Sequence, residues 1–182
     1  SLPLAENPFA PEGATRFSLH NFGELRGYFG IPKDGPIPEP LARQLIHGYC
    51  ACVTYMDAQL GRVMTALESL GLRENTIVIF WGDHGWKLGE HGSWCKHTNF
   101  EIDARAPLLI SAPGKPGGQR TSALVEFVDM YPSLCALCDL PIPDHCEGTS
   151  FVPLLSDPAH PWKTAAFSQY PRRGEDVMGY TT

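Results

Sequence analysis

The stretch Gly82–His97 reads GDHGWKLGEHGSWCKH and is dense in side chains that can do chemistry. Asp83 offers a hard oxygen donor and His84 a nitrogen donor. Adjacent, they can reach one metal ion or one metal cluster. Gly82 and Gly85 on either side let the backbone turn sharply and let a ligand come close. On residue types alone such a dipeptide is usually a solvated loop feature, and only its place between glycines at the end of a buried strand sets a metal role level with that. Lys87 and Lys96 follow. Cations beside a metal suit an anionic substrate whose negative charge grows in the transition state. Lys87 and Glu90 read as solvated loop residues, and His91 stays open between a loop role and a ligand contact. Trp86 and Trp94 either line a pocket or cover core.

The surrounding pattern says what must hold this stretch in place. Thr76–Trp81 (TIVIFW) is β-branched and aromatic on both faces, which fits a strand in the middle of a parallel sheet. The Asp-His pair then sits just past the strand's carboxyl end, where α/β folds bind ligands. Before it, Leu45, Tyr49, Val53, Met56, Leu60, Val63, Leu67 and Leu70 recur three or four apart and predict a helix over residues 41–70. Pro40 suits its first position and Gly71 its stop. Gly48 and Gly61 inside it are expected to mark close packing against a neighbour.

Pro107–Ala112 reads as a second strand, Ser122–Leu137 as a helix broken or kinked at Pro132, and Ala165–Tyr170 as a third strand. Pro141–Trp162 is Pro-rich and linker-like, so the expected division is residues 1–160 and 161–182. Residues 1–40, rich in Pro and Gly, predict an extended excursion with one short helical turn near Asn21–Tyr28.

Composition narrows the function class. The chain has 182 residues with 14 Lys+Arg against 20 Asp+Glu, a formal net charge of -6. That balance gives no basic patch for nucleic acid. The 18 Gly and 17 Pro exclude a long helical bundle, and no run of about 18 apolar residues predicts a membrane span. Among six cysteines, Cys135 and Cys138 form a C-x-x-C without a partner pair at zinc-site spacing, and read as small buried thiols.

Taken together, several motifs resemble the sulfatase family of the alkaline-phosphatase-like superfamily. They are Gly82-Asp83-His84-Gly85 at a strand end, Leu88-Gly-Glu-His-Gly92, Lys96, Pro107-Leu-Leu-Ile110 and Pro113-Gly114. Tyr55-Met56-Asp57, Gly61-Arg62, Val128-Asp129-Met130-Tyr131-Pro132 and Ser168-Gln169-Tyr170-Pro171-Arg172 extend the likeness over residues 5–180.

The resemblance implies an α/β fold: part of a mostly parallel sheet flanked by helices, with the start of a smaller C-terminal domain. It implies hydrolysis of sulfate esters, on sulfated saccharides, by a cysteine-derived formylglycine working beside calcium. On that footing Asp83 and His84 are two calcium ligands, and Lys96 contacts the sulfate and the leaving oxygen. Trp86 and His91 are candidate substrate contacts. Tyr170 and Arg172 either approach the substrate or pack loops, the second being favoured. The resemblance also implies export, to a periplasmic, extracellular or lysosomal place.

The departures matter as much. None of the six cysteines stands in a Cys-x-Pro-Ser-Arg context. The family's early Asp-Asp metal pair and its upstream lysine and histidines have no match here. Half a metal site is expected, with formylglycine supplied from a missing N-terminal part, and no turnover from these residues alone. The first residue is Ser1, so a cut from a longer precursor is the expectation. So is an exposed sheet edge and core-facing surface, met by a companion N-terminal chain or by self-association. The alternatives are a phosphatase or phosphodiesterase of the same superfamily, with zinc and a Ser or Thr nucleophile, or a non-catalytic fragment with a vestigial Asp-His pair.

Overall fold

Residues 2–38 run without regular structure except for one helical turn, α1 (Gly23–Arg26), within the stretch where a turn is expected. The computed structural model describes residues 2–172 and 177–181. Arg26 pins the excursion, its guanidinium donating to the carbonyls of Asn21 (3.2 Å), Pro32 (2.6 Å) and Gly35 (2.5 Å). The segment also supplies core. Phe22, Leu25 and Ile31 are buried in one cluster with Ala42, Ile46, Trp94 and Cys95.

Helix α2 (Glu39–Ser69) matches its expected span. Glu39 complements the positive end of the helix, and Pro40 needs no intrahelical N–H in the first turn. At the far end Gly71 adopts φ 68°. Gly71 N–H then bonds Glu68 O, and Leu72 N–H bonds Leu67 O, both at 3.0 Å, which satisfies carbonyls the helix leaves open. Only Ala42 and Ile46 on this helix are buried. Tyr49, Val53, Met56 and Val63 are exposed, so the apolar stripe is present but uncovered past its first turns. Gly48 and Gly61 correct the expectation of close packing, because a Cβ at either would meet nothing within 4 Å.

Strand β1 (Val78–Trp81) is followed by β2 (Lys87–Leu88), β3 (Trp94–Cys95), the short helix α3 (Glu101–Ala104) and β4 (Leu108–Ser111). β1 pairs with β4 in a two-stranded sheet, and Gly82 N–H continues the contact to Pro107 O at 3.0 Å. With one neighbour among the described residues, β1 is half-buried rather than covered on both faces, and Trp81 is exposed. β2 and β3 pair antiparallel, Lys87 opposite Cys95 and Leu88 opposite Trp94.

The helix expected over Ser122–Leu137 is shorter: a 3-10 turn at Phe127–Asp129 leads into α4 (Met130–Leu137). Side chains hold residues 121–126 in another course. Glu126 N–H bonds Asp129 Oδ2 at 2.8 Å, Phe167 N–H bonds Glu126 Oε1 at 2.9 Å, and Lys163 bridges Glu126 (2.5 Å) and the fully buried Asp129 (2.6 Å). Pro132 lies in the first turn of α4, where a missing N–H breaks nothing. All six cysteines are free; Cys135 is buried as expected but Cys138 is exposed.

The third expected strand is β5 (Ser168–Arg172), paired with β6 (Val177–Thr181). The chain divides into two compact units. One comprises Ser1–Arg73, Trp81–Leu108 and Gln169–Thr181, and the other Glu74–Phe80 and Leu109–Ser168. No helix among the described residues is long and apolar enough to cross a membrane.

Candidate functional site

The loop after β1 is held by close backbone contact. Gly85 N–H bonds Asp103 O at 2.8 Å, and a Cβ at Gly85 would lie 1.7 Å from Ile102 O. Only glycine fits, and this contact fixes the position of the two residues before it. Asp83 is 85% exposed and His84 32% exposed, with Asp83 Oδ2 3.6 Å from His84 Nε2. His84 Nδ1 is 2.8 Å from Gly85 O. A carbonyl oxygen only accepts, so Nδ1 carries a proton, and Nε2 is the ring nitrogen turned toward the carboxylate. One oxygen and one nitrogen donor facing the same space fit two ligands of a single cation. No group of three or more His, Cys, Asp or Glu among the described residues completes such a set.

An aromatic and charged chain links this pair to Lys96. The His84 ring stacks on Trp86 with centroids 6.0 Å apart, and Trp86 stacks on Tyr49 at 6.4 Å. The Lys96 ammonium lies 5.5 Å from the Trp86 ring centre and 3.6 Å from Glu24 Oε1. Glu24 Oε2 is buried with no hydrogen-bond partner among the described residues. Lys96 itself is only 27% exposed, in an environment that is flat on one side and anionic on the other. Asp83, His84, Trp86 and Lys96 are thus neighbours in space. His91 has its contacts elsewhere: its ring packs on Phe100 at 4.4 Å and its N–H bonds Asn7 O at 2.8 Å.

Lys87 corrects its sequence reading as a solvated loop residue. It is fully buried, and its ammonium donates to Asp103 Oδ2 and to Thr98 Oγ1 (3.3 Å). Burial lowers its pKa, and the bond to Asp103 opposes that shift. Glu90 is half-buried and accepts the Leu88 N–H at 2.6 Å, so it too belongs to the loop's internal bonding. Trp94 covers core. Arg172 packs loops, as favoured: its guanidinium donates to Phe17 O (2.6 Å), Leu19 O (3.0 Å) and His97 O.

Sequence reasoning missed Glu24 and His20. Neither has a local motif, and both come from the irregular N-terminal excursion. His20 Nδ1 accepts the Phe22 N–H at 2.8 Å. Burial, then the nearby Lys87 and Arg172 charges, lowers the His20 pKa to about 4. Backbone strain is a second signal absent from the pattern: His91, Cys95 and His97 all take positive φ (56°, 64° and 82°) within seven residues. Such conformations gather at functional sites.

Comparisons with known proteins show the family. A family model described as Sulfatase matches residues 5–140. The iduronate 2-sulfatase of Mus musculus is 35% identical over 183 residues, an alignment covering 83% of this chain and 33% of that one. Among solved structures, BT4656 in complex with its substrate D-glucosamine-2-N,6-O-disulfate matches with TM-score 0.69 and 29% identity. That match covers 78% of this chain and 30% of the other. The phosphonate monoester hydrolase of Silicibacter pomeroyi matches with TM-score 0.60 and 32% identity, over 63% and 23%. The chain spans about a third of the length of the curated relative.

Proposed function

The chain belongs to the sulfatase family, and from that premise we propose that it carries one side of the active site of an exported sulfate-ester hydrolase. The substrate class is sulfated saccharides, of the kind its iduronate 2-sulfatase relative is named for. The observation that carries this reading is the pairing of His84 Nε2 with Asp83 Oδ2 at 3.6 Å, set beside a Lys96 ammonium through Trp86.

Asp83 and His84 would hold calcium. When bound, calcium supplies Lewis acidity and a clamp on sulfate oxygens, and formylglycine from another stretch of polypeptide supplies the nucleophile. Asp83 lends the negative charge that such a cation needs, and its exposure leaves it free to turn toward the ion. His84 is oriented by its Nδ1–H bond to the Gly85 carbonyl, which leaves Nε2 for the ion. Lys96 offsets charge on the bridging oxygen as the S–O bond breaks. Trp86 lines the approach and holds the Lys96 ammonium over its face. His91 packs the loop that carries these groups. The exposed stripe of α2 supports a need for further polypeptide, a companion chain or a second copy, to cover it.

The test is sulfate release from a sulfated saccharide by the intact enzyme, with and without a calcium chelator. Release that chelation and Asp83→Asn both abolish is the expected result, and none is expected from the 182 residues alone. The likeness to a phosphonate monoester hydrolase favours a second reading. Faster cleavage of a phosphonate monoester than of the sulfate ester would establish it instead.

A further inference from the structure

Lys96 follows β3 directly, and its ammonium rides on a flexible hydrocarbon stem. A free stem of that kind spreads its charge over many positions. Here two groups define where the ammonium stands. The face of Trp86 lies on one side, and Glu24 Oε1, at 3.6 Å, on the other. Glu24 and Lys96 are both half-buried, so water weakens their attraction less than it would on an open surface.

The frame behind this pair is firm. Glu24 sits on α1 between Phe22 and Leu25, and Lys96 comes just after Trp94 and Cys95. All four neighbours belong to one buried cluster. Arg26 fastens the same turn to three carbonyls, and Lys33 Nζ donates to Arg26 O at 2.7 Å. Among the described residues Lys96 is the one ion-pair partner of Glu24, whose Oε2 is buried without a hydrogen-bond partner. The carboxylate's charge is therefore directed at this one ammonium.

A carboxylate beside the site of an anion works against holding that anion. Its value must lie in placement, at the step where negative charge grows. We propose that Glu24 is a positioning residue, which fixes the Lys96 ammonium where charge develops on the departing oxygen. The proposal rests on the sulfatase reading. Glu24 touches no reacting atom in this role and acts through the lysine alone. Without the carboxylate only the Trp86 face restrains the stem, and fewer bound sulfates meet the ammonium in place.

The experiment uses the intact enzyme, a sulfated saccharide, and the variants Glu24→Gln, Lys96→Met and both together. Glutamine keeps the shape of the side chain and removes its charge. Glu24→Gln should lower kcat about tenfold with no rise in KM, and should melt close to wild type. In the Lys96→Met background the same substitution should lower kcat no further. Crystals of intact wild type and Glu24→Gln give a readout free of turnover. The ammonium should stand between Trp86 and Glu24 in the first and leave that place in the second. An ammonium that keeps its place in Glu24→Gln overturns the proposal. So does an unchanged kcat, or an equal loss of kcat with Lys96 and without it. A wild type that releases no sulfate refutes the catalytic reading instead, and the crystals then decide whether Glu24 places Lys96.

Discussion

The Lys87 ammonium and the Asp103 carboxylate meet where no solvent reaches, 16 residues apart in sequence. Asp103 Oδ2 also accepts the Thr98 N–H at 2.7 Å and the Thr98 hydroxyl, while Oδ1 is buried with no hydrogen-bond partner among the described residues. One carboxylate oxygen therefore ties β2, the Thr98 turn and α3 together, and Lys96 and His97 ride on the loop between them.

Lys87→Met should cost about 3–5 kcal/mol, because it leaves the Asp103 charge buried and unpaired. The double variant Lys87→Met/Asp103→Leu should recover most of that loss. Urea unfolding of wild type and the two variants checks both statements. Equal losses in the single and double variants would show that the pair is not what binds the loop.

Asp83→Ala should behave in the opposite way. The side chain is 85% exposed, and its loss should change stability by no more than about 0.5 kcal/mol. In the intact enzyme it should remove calcium-dependent thermal stabilisation and sulfate release together. Melting curves with and without calcium, run on both proteins, test this.

Two glycines should respond with opposite sign. Gly85→Ala forces a Cβ to 1.7 Å from Ile102 O, a backbone atom that cannot swing away, and should cost about 3 kcal/mol or more. Gly48→Ala meets only open space in mid-helix and should stabilise the chain by about 0.5–1 kcal/mol. Circular-dichroism melts read both.

His20 gives the fold an acid-side dependence. Its pKa is about 4 in the folded chain against 6.5 ordinarily, with burial the main cause. Between those values the unfolded chain binds the proton and the folded chain resists it, so stability rises with pH across the window. The contribution is fully present above pH 6.5, declines down to about 4 and is level below. His20→Asn keeps an acceptor for the Phe22 N–H and does not titrate. The urea midpoint of wild type should fall more steeply than that of His20→Asn from pH 7 to pH 4.5.

What could be read from the sequence was what is local. The spacing of apolar residues, Pro40 and Gly71 give α2 nearly to its ends, and the TIVIFW run gives β1. The Asp83-His84 pair stands out because glycines bracket it at a strand end. The interior of the site depends on pairs far apart in the chain. Nothing near Lys87 announces Asp103, and nothing near Lys96 announces Glu24, 72 positions earlier. The overlong helix at 122–137 fails for the same reason: Lys163 and Phe167, distant in sequence, draw Glu126 out of a helical course.

Arg172 sets an order in time. It closes onto Phe17, 155 residues earlier, and onto His97, 75 residues earlier. At ribosomal speeds about 10–30 s separate the emergence of the first partner from that of the arginine. Until then the His97 turn has no latch and the Phe17 and Leu19 carbonyls lack their donor. Translation must finish Arg172 before this surface takes its final form, so a pause in synthesis upstream of β5 prolongs the period in which chaperones, rather than this side chain, must keep the unfinished surface from going astray.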